Sequence, residues 1–198
     1  RLAYGMLKDV LGALTAAKSV RGIMMVTADA EATALARSLR ILVEFDRESA
    51  GQSRATMQGA IALRDRAQPT VMMVPGDVPL ITAGDVDEIA YGHDHRRGIS
   101  LGTDVEGSGT NMLCMSPPDA MMPSFGEGSL RRHMSTCATI GVTPWIVRNP
   151  RFARDIDRPG DLRELLATAV DGHAFRYLNE CGIAARLKSN SEERCGSR

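Results

Sequence analysis

Short apolar runs alternate with segments of helical periodicity along almost the whole chain. Residues 23–26 form a short continuous apolar stretch, as expected of a strand that is buried on both faces. Residues 2–14, in contrast, place Leu, Met and Val at the spacing of an amphipathic helix. Strands that alternate with helices in this way are typical of α/β proteins with a mostly parallel sheet. The sequence therefore predicts an α/β sandwich with a mostly parallel sheet.

The same pattern predicts the order of the elements. Predicted strands cover residues 23–26, 41–43, 70–74, 99–101, 112–115 and 143–147, and predicted helices begin near residues 2, 30, 54, 82, 129, 159 and 173. Asp29 is expected to cap the second helix, and Thr82 with Asp85 has the spacing of a capping box. Residues 1–188 are predicted to form a single domain, followed by a disordered polar tail, 189–198.

Charge balance and apolar content argue against several kinds of partner. The 24 basic and 24 acidic side chains cancel, whereas nucleic-acid-binding proteins usually carry a basic surplus. No apolar run reaches the roughly 18 residues of a membrane span, and the start of the chain lacks a signal-peptide pattern. The four Cys residues have no CxxC spacing, which argues against a zinc site or a disulfide framework. We therefore expect a cytoplasmic protein that binds neither nucleic acid nor a membrane.

Three carboxylates are candidates for a metal site. Asp77 follows the predicted strand 70–74, at the edge where open α/β sheets bind ligands. Asp155 and Asp157 are two residues apart, so in an extended segment they project to the same side. Oxygen ligands of this kind suit a hard divalent ion such as Mg²⁺. Turn hydrogen bonds, helix capping or a solvated loop are the alternative roles for these residues.

Two loops rich in small residues are candidates for anion binding. Residues 108–111 include Thr110 and offer neutral hydrogen-bonding groups, although a tight hairpin turn explains the same composition. Residues 125–129 lead through Gly126 into a predicted helix that begins at Ser129, and free N–H groups at a helix start attract anions. Ser129 is expected to cap this helix, to bind an oxyanion, or both. The following residues 131–133, Arg-Arg-His, could add positive charge.

Further polar segments have less specific patterns. Gly51, Gln52 and Ser53 enter a predicted helix, where their amides could contact a nucleobase or Ser53 could act as the N-cap. Residues 93–95, His-Asp-His, could chelate a metal but are expected at an exposed helix end. No P-loop or dinucleotide-binding glycine motif occurs in the sequence.

Taken in order along the chain, these motifs resemble one enzyme family. The matching stretches are residues 6–11, 75–80, 109–111, 125–129 with His133, and 155–162, within about residues 1–185. They resemble the guanylyltransferases of coenzyme F-420 biosynthesis. The resemblance implies a nucleotide-diphospho-sugar transferase fold of the MobA-like type, which is a three-layer α/β/α sandwich. It also implies a strand and a nucleotide-binding loop ahead of residue 1, because family members usually begin with them.

The resemblance further implies a reaction and a set of site residues. GMP would pass from GTP to 3-phospho-D-glycerate, phosphoenolpyruvate or 2-phospho-L-lactate with release of pyrophosphate, and the first two acids are favoured here. The implied ligands of Mg²⁺ and catalytic residues are Asp77, Asp155 and Asp157; the phospho-acid would contact Thr110, Gly126 and Ser129; and the nucleotide is expected at Gly51, Gln52, Ser53, Pro75 and Gly76.

Some alternatives stay open at this point. Many family members carry Gly-Leu-Asn where this chain has Gly-Gln-Ser at residues 51–53, which leaves the contacts to the base undetermined. A molybdenum-cofactor-type or sugar nucleotidyltransferase would share the fold and the strand-end carboxylates. A non-catalytic nucleotide-binding protein is a third alternative. The partners expected are GTP and a small phosphorylated acid, and a homodimer is left open.

Overall fold

The computed structural model describes residues 1–46, 51–96, 98–168 and 171–187, so the predicted tail at 189–198 lies outside the described residues. Strands and helices alternate along the described chain, as the periodicity predicts. The helices are α1 (Leu2–Ala16), α2 (Ala30–Ser38), α3 (Gln52–Arg64), α4 (Ala83–Arg96), α5 (Ser129–Thr139), α6 (Pro159–Ala167) and α7 (His173–Glu180); the strands are β1 (Met24–Thr27), β2 (Leu42–Phe45), β3 (Val71–Met73), β4 (Gly98–Thr103), β5 (Thr110–Ser116) and β6 (Trp145–Val147).

The strands form a four-stranded sheet in the order β3-β5-β4-β6 and a parallel pair, β1-β2. In the larger sheet β5 runs antiparallel to both β3 and β4, while β6 runs parallel to β4. Three of its four strands therefore share one direction, which confirms the mostly parallel α/β fold. Residues 23–26 are predicted to be buried on both faces, but the structure shows every residue of β1 only partly buried.

Apolar side chains cover both faces of the four-stranded sheet. Met112 and Cys114 of β5 pack in a cluster with Val78 and Phe152. Leu113 and Met115 of the same strand pack in a second cluster with residues of β4 and α5. Successive residues of a strand point to opposite faces, so the two clusters are the two sides of the sheet. This arrangement confirms the three-layer sandwich. Among the described residues, no helix combines the length and apolarity needed to cross a membrane.

Local capping explains where several helices begin. The carboxylate of Asp29 accepts a hydrogen bond from the Ala32 N–H at 2.7 Å, as predicted for α2. Thr82 and Asp85 form the predicted capping box, with Asp85 Oδ2 accepting from the Thr82 N–H at 2.9 Å and Thr82 Oγ1 from the Asp85 N–H at 3.2 Å. Ser53 is not the N-cap of α3; that position is held by Gly51.

A distant carboxylate caps the last described long helix. Gly172, at the N-cap of α7, has no side chain to offer, and Asp9 of α1 instead accepts from the N–H groups of His173 at 2.7 Å and Ala174 at 2.9 Å. Asp9→Ala should therefore lower the free energy of unfolding by about 1 kcal/mol, the usual contribution of a side-chain cap. Urea denaturation measures this change.

The matched control for that prediction is Asp171→Ala. Asp171 is exposed and faces Arg176 at 3.7 Å, a surface pair that contributes little to stability. Equal losses in the two variants would show that Asp9 does not act as the cap of α7.

Candidate active site

The segments that carry the three predicted metal ligands lie side by side at one edge of the sheet. Asp77 lies just beyond β3, and its backbone carbonyl accepts a hydrogen bond from the Ile156 N–H at 3.0 Å. This contact holds the segment that carries Asp155 and Asp157 beside Asp77. Neither of these two caps the next helix: Asp161 does so, accepting from the N–H groups of Asp157 and Arg158.

Asp77 is the carboxylate of this group whose negative charge is in an unfavourable environment. Its Oδ1 is buried and has no hydrogen-bond partner among the described residues. Burial raises the pKa of Asp77, and the negative charges of Asp157 and Asp155 raise it further. Asp155 has one partner, since its Oδ1 accepts from the side-chain amide of Asn111 at 3.2 Å. A cation placed here would relieve the mutual repulsion of the carboxylates.

The residues at this edge fit a hard divalent cation. Among the described residues, no group of three or more His, Cys, Asp or Glu side chains is arranged so that it could hold a metal ion by itself. Mg²⁺ does not need such a group, because it is usually bound by one or two carboxylates together with water and substrate phosphates. The unpartnered, buried oxygen of Asp77 suits this mode of binding.

A cavity of about 500 Å³ opens beside Asp77 and is bounded by residues of β1, β3 and the start of α3. Four of the five residues predicted to bind the nucleotide line it: Gly51, Gln52, Pro75 and Gly76. The fifth, Ser53, accepts a hydrogen bond from the Phe125 N–H at 2.8 Å and so joins the start of α3 to the loop before α5. Asp77 therefore shares one cavity with four of the residues that are predicted to bind the nucleotide.

The first small-residue loop is a hairpin turn between the antiparallel strands β4 and β5. The carboxylate of Asp104 accepts from the N–H groups of Ser108 at 2.8 Å and Gly109 at 2.7 Å. A Cβ at Gly109 would lie 2.5 Å from Asp104 Oδ2, so a larger residue there would displace the carboxylate that holds the turn. The turn sets the start of β5, where Thr110 is buried next to Asn111. The hairpin role of this loop is thus confirmed, and it leaves Thr110 one residue from the amide that reaches Asp155.

The second loop is held in shape by Arg132. Its guanidinium donates to Ser124 Oγ at 2.8 Å and to the carbonyls of Ser124 and Phe125 at 3.1 Å. Gly126 has a φ of 101°, a conformation that L side chains rarely adopt. Ser129 is 1% exposed and is the first residue of α5, whose N-cap is Gly128, so the predicted capping role of Ser129 is wrong.

His133 is not the source of positive charge that the sequence suggests. Burial lowers its pKa to about 4, and the neighbouring charge of Arg132 acts in the same direction. Its ring packs edge-on against Phe125, with the ring centroids 5.4 Å apart. The four-residue spacing of Ser129, His133 and Cys137, which are all buried, is the sequence signal that places this side chain on the inner face of α5.

His93 also differs from its sequence-based description. It is buried rather than exposed, and its ring nitrogens lie 2.7 Å from Ser100 Oγ and 2.9 Å from Ser116 Oγ. This side chain therefore ties α4 to the sheet. It is not available as a metal ligand.

Comparison with known proteins agrees with this site. A family model described as "Guanylyl transferase CofC like" matches residues 1–197. Phosphoenolpyruvate guanylyltransferase of Conexibacter woesei is 34% identical over 185 residues, which cover 90% of this chain and 83% of that protein. The enzyme of the same name from Sphaerobacter thermophilus is 33% identical over 171 residues, 86% of this chain and 82% of that protein.

Solved structures show the same fold at low sequence identity. A crystal structure from Desulfovibrio desulfuricans G20, assigned to the nucleotide-diphospho-sugar transferases, has a TM-score of 0.75 at 12% identity and covers 95% of this chain and 84% of its own. A Mycobacterium tuberculosis protein solved in complex with manganese has a TM-score of 0.57 at 17% identity and covers 83% and 86%. These matches show the fold, whereas the family model and the guanylyltransferase relatives decide the family and the type of chemistry. The chain belongs to the CofC-like guanylyl transferases and is a nucleotidyltransferase that transfers guanylyl groups in coenzyme F-420 biosynthesis.

Proposed function

We propose that the acceptor of the guanylyl group is phosphoenolpyruvate, and that a divalent cation, Mg²⁺, is held by Asp77 with Asp155 and Asp157. The relatives from Conexibacter woesei and Sphaerobacter thermophilus carry the name phosphoenolpyruvate guanylyltransferase, which supports this acceptor over 3-phospho-D-glycerate and 2-phospho-L-lactate. A protein of this fold has been solved with manganese, which agrees with the use of a divalent ion.

One observation carries the proposal. The buried and unpartnered oxygen of Asp77 belongs to a residue that lines the 500 Å³ cavity, beside the segment of Asp155 and Asp157. An unpartnered buried carboxylate oxygen is unfavourable unless a ligand satisfies it. A cation between these carboxylates and the phosphates of GTP would supply the missing partner.

The reaction needs no general base from the protein. The phosphate of the acid has a second pKa of about 6, so it is largely a dianion at neutral pH. One of its oxygens attacks the α-phosphorus of GTP and forms a new phosphoanhydride bond. The bond between the α-phosphorus and the oxygen that bridges to the β-phosphorus breaks, and pyrophosphate leaves with the electron pair. The main obstacle is the repulsion between two anions.

Each part of the site addresses that obstacle. A bound divalent cation would neutralise phosphate charge and favour in-line attack. We place GTP in the cavity that is lined by Gly51, Gln52, Pro75 and Gly76. The hydroxyl group of Ser53 accepts a hydrogen bond from the Phe125 N–H and so holds the start of α3 against the loop before α5. The acid would be oriented by Thr110 at the start of β5, by Gly126 in the loop before α5 and by Ser129 at the start of α5. Holding both substrates in one site makes the reaction between them effectively unimolecular.

The experiment is product analysis. The chain is incubated with GTP, Mg²⁺ and, in turn, each of the three acids, and the product is identified by mass while pyrophosphate release is measured. We expect a joined product of GMP and phosphoenolpyruvate, formed fastest with that acid. ATP, CTP and UTP serve as control nucleotides. A joined product with another acid only would overturn the acceptor, and pyrophosphate release without any joined product would overturn guanylyl transfer.

The cytoplasmic location, the single domain and a homodimer stay predictions.

A further inference from the structure

His133 joins two parts of the candidate site. Its Nδ1 lies 3.0 Å from Thr110 Oγ1, and its Nε2 accepts a hydrogen bond from the backbone N–H of Ser124 at 2.8 Å. The side chain is fully buried. Both ring nitrogens therefore have fixed partners, one at the start of β5 and one in the loop that precedes α5.

The partner of Nε2 decides which nitrogen carries the proton. A backbone N–H group can only donate, so Nε2 must present its lone pair to Ser124. A neutral imidazole has one ring proton, which must then be on Nδ1. Burial keeps the ring neutral, as the lowered pKa of His133 indicates. The Nδ1–H group consequently donates to the oxygen of Thr110.

This arrangement fixes the direction of the Thr110 hydroxyl group. A hydroxyl group has one proton to donate and accepts through its lone pairs. Because the oxygen accepts from His133, its own proton must point elsewhere. Among the described residues, His133 is the one partner that the structure gives this hydroxyl group. Its proton is therefore available to a ligand.

We propose that His133 is a positioning residue, which holds the Thr110 hydroxyl group as a hydrogen-bond donor to the carboxylate or phosphate of the acceptor acid. The inference rests on the proposed function, which puts that acid at Thr110. The opposite tautomer would make Thr110 donate to His133 and turn oxygen lone pairs toward the anion. Thr110 directly precedes Asn111 in the chain, and the amide of Asn111 contacts Asp155 at 3.2 Å.

The tautomer can be measured without substrate. In the ¹⁵N-labelled full chain, the side-chain nitrogen shifts of the four His residues are recorded at pH 7, and the His133 signals are assigned by their loss in His133→Asn. We expect a neutral ring with the proton on Nδ1. A ring with its proton on Nε2, or a cationic ring, would overturn the inference.

Three Thr variants test the role in binding. Thr110→Val should raise the KM for phosphoenolpyruvate about tenfold or more, the usual effect of losing a hydrogen bond to a charged group, and change the KM for GTP less than about twofold. Thr110→Ser keeps the hydroxyl group and should stay near the wild type. Thr139→Val is the matched control, because the Thr139 hydroxyl group is exposed and donates to the Ser135 carbonyl at 3.0 Å.

A double-mutant cycle separates positioning from a general structural role. His133→Leu should raise the KM for the acid as Thr110→Val does, and the double variant should be no worse than Thr110→Val alone. His133→Asn, whose amide can still donate, should restore part of the affinity. Additive losses, or equal losses for GTP and the acid, would overturn the inference. A wild-type chain that forms no joined product would instead overturn the proposed function, and this is seen before any variant is made.

Discussion

Asp77→Asn is expected to lower kcat for guanylyl transfer by about a thousandfold while the protein remains folded. The substitution keeps the shape of the side chain and removes the charge that, in our proposal, binds the cation. Activity is measured as joined product formed at saturating GTP, acid and Mg²⁺. Asp171→Asn is the matched control, because the Asp171 side chain is 76% exposed and faces Arg176.

The same substitution should not destabilise the fold. Burial and the charges of Asp157 and Asp155 raise the pKa of Asp77 above its ordinary value of 3.8. The folded state therefore binds this proton more tightly than the unfolded state, and wild-type stability falls as the pH rises from 3.8 through the raised pKa. Asp77→Asn lacks this loss, so in metal-free buffer its stability relative to the wild type should increase with pH.

This trend is checked by urea denaturation of both proteins at pH values from 4 to 8, in steps of about one pH unit. An Asp77→Asn protein that unfolds more easily than the wild type at neutral pH would show that Asp77 has a structural role. An active Asp77→Asn protein would remove this residue from the metal site.

Chelation of divalent metal should abolish turnover. With EDTA in excess, product formation should fall below about one hundredth of its rate with Mg²⁺, because in our proposal the cation neutralises phosphate charge of the two anionic substrates. Excess Mg²⁺ should restore the rate. Full activity after exhaustive chelation would contradict a metal-dependent mechanism.

The two neighbouring carboxylates make a graded version of that test. Asp155→Asn and Asp157→Asn should each raise the Mg²⁺ concentration for half-maximal rate about tenfold, since each removes one nearby negative charge. Asp171→Asn again serves as the control. Unchanged Mg²⁺ dependence in both variants would leave Asp77 as the sole protein ligand of the three.

Local features of the fold could be predicted from the sequence. The capping box of Thr82 and Asp85 and the cap at Asp29 depend on residues three apart, and the structure confirms both. Strand direction depends on partners far apart in the chain, so the antiparallel course of β5 could not be predicted from its apolar pattern. The partial burial of β1 likewise depends on which elements pack against it.

The candidate site shows the same division. The family resemblance implies that Asp77 lies near Asp155 and Asp157, and the contact between the Ile156 N–H and the Asp77 carbonyl places their two segments side by side. The contact between Asn111 and Asp155 joins residues 44 apart, and the cap supplied to α7 by Asp9 spans 164 residues or more, so no local pattern predicts either. The sequence around His133 suggests a positive charge. Its burial, which keeps the ring neutral, depends on how α5 packs and is not visible in the local pattern.

Direct titration with Mn²⁺, followed by the electron paramagnetic resonance of the free ion, tests the shared cation site most directly. The wild-type chain and Asp171→Asn should bind Mn²⁺ with the same affinity, and Asp77→Asn should bind it at least about tenfold more weakly. Identical binding curves for all three proteins would contradict the account.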